Sequence, residues 1–256
     1  MEQMTAELLE NSGLPRTTRV LCCLATRPGI SRADLGEALA NKAAMLQMRF
    51  GQKAQLLLAA AWADDPFADV GGDRHIESAD AFLQINFPAD TSDNTLVQAF
   101  RGLAAELGDL VDPAACSLSA GTALTLLKAQ GDTFLAFVGR RCADMTNAQM
   151  SDYWLNHHAP LALSLMGPPI CQYGYDQLHV DAESSARLSE AAGFPFVCYD
   201  MGDSIVIPDR ERFLGVMAEP EIGSRLYEDE CRFLDTTSWR GAFSDILYLT
   251  PDDGAE

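Results

Sequence analysis

Ser31-Arg32-Ala33-Asp34-Leu35 and Thr146-Asn147-Ala148-Gln149-Met150 are the two stretches on which the reading of the fold turns. Laid together without a gap, they carry Ala38-Leu39-Ala40-Asn41-Lys42-Ala43-Ala44-Met45-Leu46 onto Tyr153 through Leu161. Ala33/Ala148, Asn41/Asn156, Ala44/Ala159 and Leu46/Leu161 are identities, and most apolar positions meet apolar positions. Self-similarity of this kind points to one supersecondary unit used twice. Each copy opens with a residue suited to cap a helix, because its side-chain oxygen can accept from the free amides of the first turn.

Outward from these helices, both halves repeat one order of elements. In the first, a strand over Thr18 to Ala25 ends at the turn Arg27-Pro28-Gly29, and the helix from Ser31 runs to about Phe50. Strands over Gln55 to Trp62 and Ala81 to Phe87 follow, separated by a polar loop around Gly71-Gly72-Asp73. A helix carries Leu96, Phe100, Leu103, Leu107 and Leu110 at steps of three and four, and a strand from Cys116 to Ala129 closes the unit. The second half reads as strand Thr133 to Arg141, helix from about Asn147 to Met166, strands Ile170 to Leu178 and Phe196 to Ile207, a helical region Asp209 to Leu234, and strand Ile246 to Leu249. The expectation is an α+β fold of two ferredoxin-like βαββαβ repeats, residues 18–130 and 131–256, after an N-terminal tail, 1–17. Each unit covers one sheet face with helices and leaves the other bare. The two bare faces should therefore pack together as an intramolecular α+β barrel, with a small-ligand cavity between the sheets.

Eighteen basic against 37 acidic residues give a net charge of −19, which repels nucleic acid and anionic membrane surfaces. Met1 to Arg16 lacks a basic flank and an apolar core, so it does not read as a secretory signal. The longest apolar run, Leu56 to Ala63, falls far short of the ~20 residues that span a bilayer. The expected location is the cytoplasm, with no membrane partner. Seven cysteines without a Cys-x-x-Cys pair read as reduced core thiols, and no metal site is expected. His75 lies in a polar stretch and reads as solvated.

Chemistry concentrates in Tyr153-Trp154-Leu155-Asn156-His157-His158-Ala159-Pro160-Leu161. His157 and His158 each follow an aromatic residue by four and fall on or beside the face expected to turn inward. Pro160 removes one backbone donor and frees the carbonyl of Asn156. On the strand that follows, Tyr173, Tyr175, Gln177 and His179 share one side while Gly174, Asp176 and Leu178 share the other. A stripe of hydrogen-bonding side chains suits a polar cavity better than a closed core. Asp229, Glu230 and Asp235 read as a solvated helix face, although a carboxylate could reach a pocket histidine.

These residues resemble the EthD domain of the dimeric α+β barrel superfamily. The resemblance rests on Arg140 or Arg141 ending a strand, then Trp154, His158, Pro160 and Leu161, then Tyr175, Gln177 and His179, then Asp229, Glu230, Phe233 and Asp235. The first half looks like a degenerate copy, with Leu39 for Trp154 and Ala43 for His158. The family's Asp-Gly and glutamate pattern on the third strand is broken around Asp200-Met201-Gly202-Asp203-Ser204. The resemblance implies a barrel pocket, often without metal or organic cofactor, among relatives that act on small aromatic or polyketide-like compounds.

Two functions are in competition. One is a cofactor-free lyase, dehydratase or isomerase acting on a carbonyl compound. In it His158, Tyr175 and His179 are catalytic, and Trp154, Gln177, Tyr153, His157 and Tyr173 bind the substrate; imidazole, with a pKa of about 6.5, can exchange a proton near neutrality. The other is a non-catalytic protein that sequesters a small hydrophobic ligand. Haem, bound through a histidine in other barrels of the superfamily, is a third possibility. The outer helices leave room for a homodimer.

Overall fold

Ser31 accepts from the Asp34 amide while the Asp34 carboxylate returns the bond, and Thr146 and Gln149 make the same reciprocal cap at the matching place in the second half. The computed structural model describes residues 8–66, 76–168 and 170–251. The loop at 71–73 and His75 lie outside them.

The first half runs β1 (Arg16–Leu24), α1 (Arg32–Phe50), β2 (Gln55–Ala61), a short β3 (Ile76–Ser78), β4 (Ala81–Pro88), α2 (Asp93–Phe100), α3 (Leu103–Leu107) and β5 (Ser117–Leu127). The second runs β6 (Thr133–Arg141), α4 (Asn147–Tyr153), a π-helical turn (Trp154–His158), α5 (Ala159–Met166), β7 (Gly174–Val180), α6 (Ala182–Ala192), β8 (Met201–Ile207), α7 (Arg210–Met217), α8 (Pro220–Glu230) and β9 (Leu234–Leu249). The strands lie in the order β2-β4-β1-β5-β7-β8-β6-β9-β3, and β2 also pairs with β9. That last pairing closes an eight-strand ring with β3 outside it. Within each half the order is the ferredoxin-like one, and the halves are sewn together by antiparallel seams β5–β7 and β2–β9.

The two sheets thus meet edge to edge, and the space between them is packed rather than hollow. Leu21, Leu57, Phe82, Phe134, Val138 and Leu178 fill it, with Phe82 and Phe134 edge-on at 5.8 Å. A polar layer completes the filling. Arg19 pairs with Asp176 at 2.5 Å and donates to Asn86 at 2.7 Å, and Ser204 donates to Gln84 at 2.6 Å. The expected cavity between the sheets is therefore corrected: aliphatic, aromatic and paired polar side chains from both halves interdigitate there, and open space is found outside the ring.

In the first half, the place that corresponds to the π turn is filled. Leu39 and Ala43, which replace Trp154 and His158, are buried with Phe50, Phe87 and Phe100, whose rings approach to 5.1 Å and 6.2 Å. Helix α6, not anticipated from the sequence, lies on β5 beside α2 and adds Leu188 and Ala192 to this first-half core. The last strand starts at Leu234 rather than Ile246, because its first part also borders β3 and β6. Of the cysteines, Cys22, Cys23, Cys116 and Cys171 are buried thiols, whereas Cys198 and Cys231 are exposed and depart from the expected core placement. No helix among the described residues is long and apolar enough to cross a membrane.

Candidate active site

The helix that carries the two histidines cannot stay regular, because the ring of Pro160 would strike the carbonyl four residues earlier. The chain widens over Trp154–His158 into a π turn, and the Ala159 amide reaches back to the Trp154 carbonyl. His158 is thereby turned into the protein, only 6% exposed. Its Nδ1 lies 3.0 Å from Asp229 Oδ2, and Asp229 Oδ1 accepts from the Tyr153 hydroxyl at 2.7 Å. Phe233 packs on the imidazole, 5.1 Å between ring centres. Asp229 is buried, so it is not the solvated residue the sequence suggested; α8 brings it under the π turn.

His158 opens on a cavity of about 800 Å³ between the outer face of the second-half sheet and helices α5, α7 and α8. Tyr173, Tyr175 and Asp203 line the same cavity, with Phe137, Ile205, Phe213, Trp239 and Phe243 as apolar walls. The central geometric expectation, that His158 and Tyr175 share one hollow, matches this arrangement; the hollow lies beneath the helices instead of between the sheets. Tyr175 is held from behind. Gln177 Nε2 donates to its oxygen at 2.9 Å and to the Trp154 carbonyl at 3.3 Å, and the Trp154 side chain also bonds the phenol.

Five of the eight sequence-predicted site residues do not line this cavity. His157 is exposed and stacks on Tyr153 at 5.1 Å, because one further residue along the turn rotates it away from the sheet. Trp154 is fully buried behind the site and does not line the cavity. His179 sits deeper under α4, with Nδ1 3.1 Å from Ser151 Oγ and its ring 5.0 Å from Trp154, and it borders a separate cavity of about 610 Å³ at the junction of the halves. The strand alternation correctly puts His179 on the helix side; it does not reveal that Trp154 stands between it and His158. Gln177 and Tyr153 act through Tyr175 and Asp229 and do not touch the cavity themselves.

Burial lowers the pKa of His158 more than the neighbouring Asp229 raises it. In His179 burial acts unopposed and brings the value to about 3. Burial drives Tyr175 and Tyr173 upward, so both phenols keep their protons at neutral pH. Asp203 was missed: burial pushes its carboxyl well above the usual range, with Glu230 and Asp176 adding to the effect and Arg19 opposing it. Its place on β8, in register with Gln177 and Phe137, was the available signal.

Among the described residues, no three histidines, cysteines or carboxylates come together to hold a metal ion. Nor does the cavity suit haem. His158 could present Nε2, but propionates are best matched by cations, and the described lining residues include Asp203, Glu219, Glu228 and Glu230 and neither arginine nor lysine.

Residues 143–237 match the family model of the EthD domain. No curated protein matches the chain. Among solved structures, TA0507, a chlorite dismutase candidate, is 10% identical with a TM-score of 0.53, over 91% of this chain and 95% of that one. A variant chlorite dismutase from Candidatus Nitrospira defluvii in complex with cyanide is 9% identical with a TM-score of 0.50, over 96% and 95%. At these identities the likeness is one of fold.

Proposed function

With the EthD match over residues 143–237 as premise, we propose that this protein is an enzyme of cofactor-independent proton transfer, a lyase, dehydratase or isomerase acting on a small aromatic or polyketide-like carbonyl compound. The observation that carries the reading is the buried pair His158–Asp229, 3.0 Å apart, at the wall of a cavity that also holds the Tyr175 phenol. An ionised Asp229 accepts, so Nδ1 bears the imidazole proton and Nε2 keeps its lone pair for the cavity. Tyr153 fixes the second oxygen of Asp229 and so fixes the ring plane. His158 then removes a proton from carbon and returns it, a role worth about 10² to 10⁴ in rate. His179 has no part in this chemistry, since it borders a different cavity.

Substrate charge follows from the lining. Among the described lining residues, four carboxyl side chains without an arginine or lysine disfavour phosphorylated or carboxylate substrates, while aromatic walls favour a planar uncharged one. Exchange of α-protons of an aryl ketone panel into deuterated water, followed by NMR, tests the proposal without knowledge of the natural substrate. Wild-type protein should catalyse exchange, and His158→Gln should lose about 10² to 10⁴ of it. Thermal stabilisation by panel members with no exchange would instead identify a sequestering protein, which the predominantly apolar cavity also favours.

A further inference from the structure

We infer that Asp203 is the acid that receives the substrate's carbonyl oxygen, acting as a neutral hydrogen-bond donor beside the Tyr175 phenol; this rests on the proton-transfer reading above and adds to it an oxygen-binding site and a substrate class. Asp203 lies in the middle of β8, opposite Gln177 on one side and Phe137 on the other, and points to the helix side of the sheet. It is 6% exposed, lines the His158 cavity, and its Oδ1 has no hydrogen-bond partner among the described residues. Among the described residues no arginine or lysine lines that cavity. Arg19, which acts on Asp203 through space, is paired with Asp176 at 2.5 Å.

A carboxyl group in that setting is stabilised as the uncharged acid, because ionisation would place a charge on a buried side chain whose Oδ1 has no hydrogen-bond partner among the described residues. Its neighbours act the same way. Glu230 on α8 and Asp176 on β7 disfavour a further negative charge, and Arg19 on β1 works against them. The acid therefore has an O–H to donate. So does Tyr175, whose oxygen already accepts from Gln177, leaving its own proton for the cavity.

Two neutral donors facing a desolvated hollow are suited to an oxygen that gains charge during reaction. When His158 Nε2 takes a proton from the carbon next to the carbonyl, the C–H pair becomes the new C=C bond. The carbonyl π pair moves to oxygen, which takes a hydrogen bond from Asp203 and from Tyr175. Delivery of the same proton from His158 to the distal carbon of a conjugated enolate reforms the carbonyl and completes an isomerisation with no other reactant. The substrate class is an uncharged, enolisable, conjugated ketone.

4-Nitrophenol, whose oxygen mimics the enolate, reports on this site by its absorbance. Full-length wild-type protein should bind it, and Asp203→Asn should weaken binding at least tenfold, since a carboxylic acid donates more strongly than an amide. Equal affinity of the two proteins, or no binding by wild type, would overturn the assignment. Thermal unfolding guards against misreading a damaged variant. Asn removes the cost of keeping the carboxyl protonated, so Asp203→Asn should melt higher than wild type at pH 8, by a margin that shrinks toward pH 4. A lower midpoint at pH 8 would show an ionised, partnered carboxylate and equally refute the inference. Asp203-dependent 4-nitrophenol binding without ketone exchange would leave the oxygen site standing and remove the His158 chemistry.

Discussion

Asp229 shows how much a single carboxylate decides here. It orients His158, is itself tied by Tyr153, and favours the charged imidazolium against the larger effect of burial. Asp229→Asn should therefore lower the His158 pKa further and move the acid limb of the ketone-exchange profile to lower pH. It should also cut the rate by about 10²-fold or more, because the amide can hold the wrong tautomer. A rate loss with an unmoved limb would make Asp229 a packing residue only. His179 has the opposite importance. Its folded pKa of about 3 lies below the unfolded value of about 6.5, so its contribution to stability is complete above pH 6.5 and is lost as pH falls toward 3. At pH 4 the loss amounts to on the order of 3 kcal/mol. His179→Gln should flatten the fall of denaturation midpoint between pH 6.5 and 4; an unchanged slope would mean the ring is protonated in place. Trp154 and His179 were legible as inward-facing from spacing alone. That one shields the other from the cavity was not, since periodicity gives direction and not depth.

At the scale of elements, the turn at Pro160 is the feature on which the site depends. Pro160→Ala restores the missing donor and allows a regular α-helix through Trp154–His158. The expected outcome is an unchanged or slightly raised melting temperature with loss of ketone exchange, as His158 rotates off Asp229; full retention of activity would show that packing, and not proline, sets the π turn. The caps are less specialised. Ser31→Ala and Thr146→Ala should each cost about 1 kcal/mol in chemical denaturation, being the same device at matching places. Helix α6 was missed although its ends were marked, Asp181 accepting from Ser184 and Gly193 taking a left-handed conformation at φ 84°. Its apolar face packs on the first half, a partner that is far away in the sequence.

For the whole molecule, the seams β5–β7 and β2–β9 are the structural fact of widest consequence. Each half has two open sheet edges and a bare inner face that the other half covers. Residues 131–256 expressed alone should associate or aggregate instead of remaining a folded monomer, as sedimentation would show; we propose the division near residue 130 as a boundary of repetition and not of independent folding. Repetition, the order of the strands, the inward stripe Tyr173-Tyr175-Gln177 and the inward placement of His158 all follow from local pattern. Helical and strand periods, capping residues and proline act within a few residues, and such effects can be read along a chain. Three matters were settled only in space: that the ring interior is filled, that the cavity opens beneath α5, α7 and α8, and that Asp229 reaches His158 while Asp203 lines the cavity. These depend on side-chain volumes summed from strands far apart in sequence, and on charges whose burial exists only once the helices have closed over the sheet.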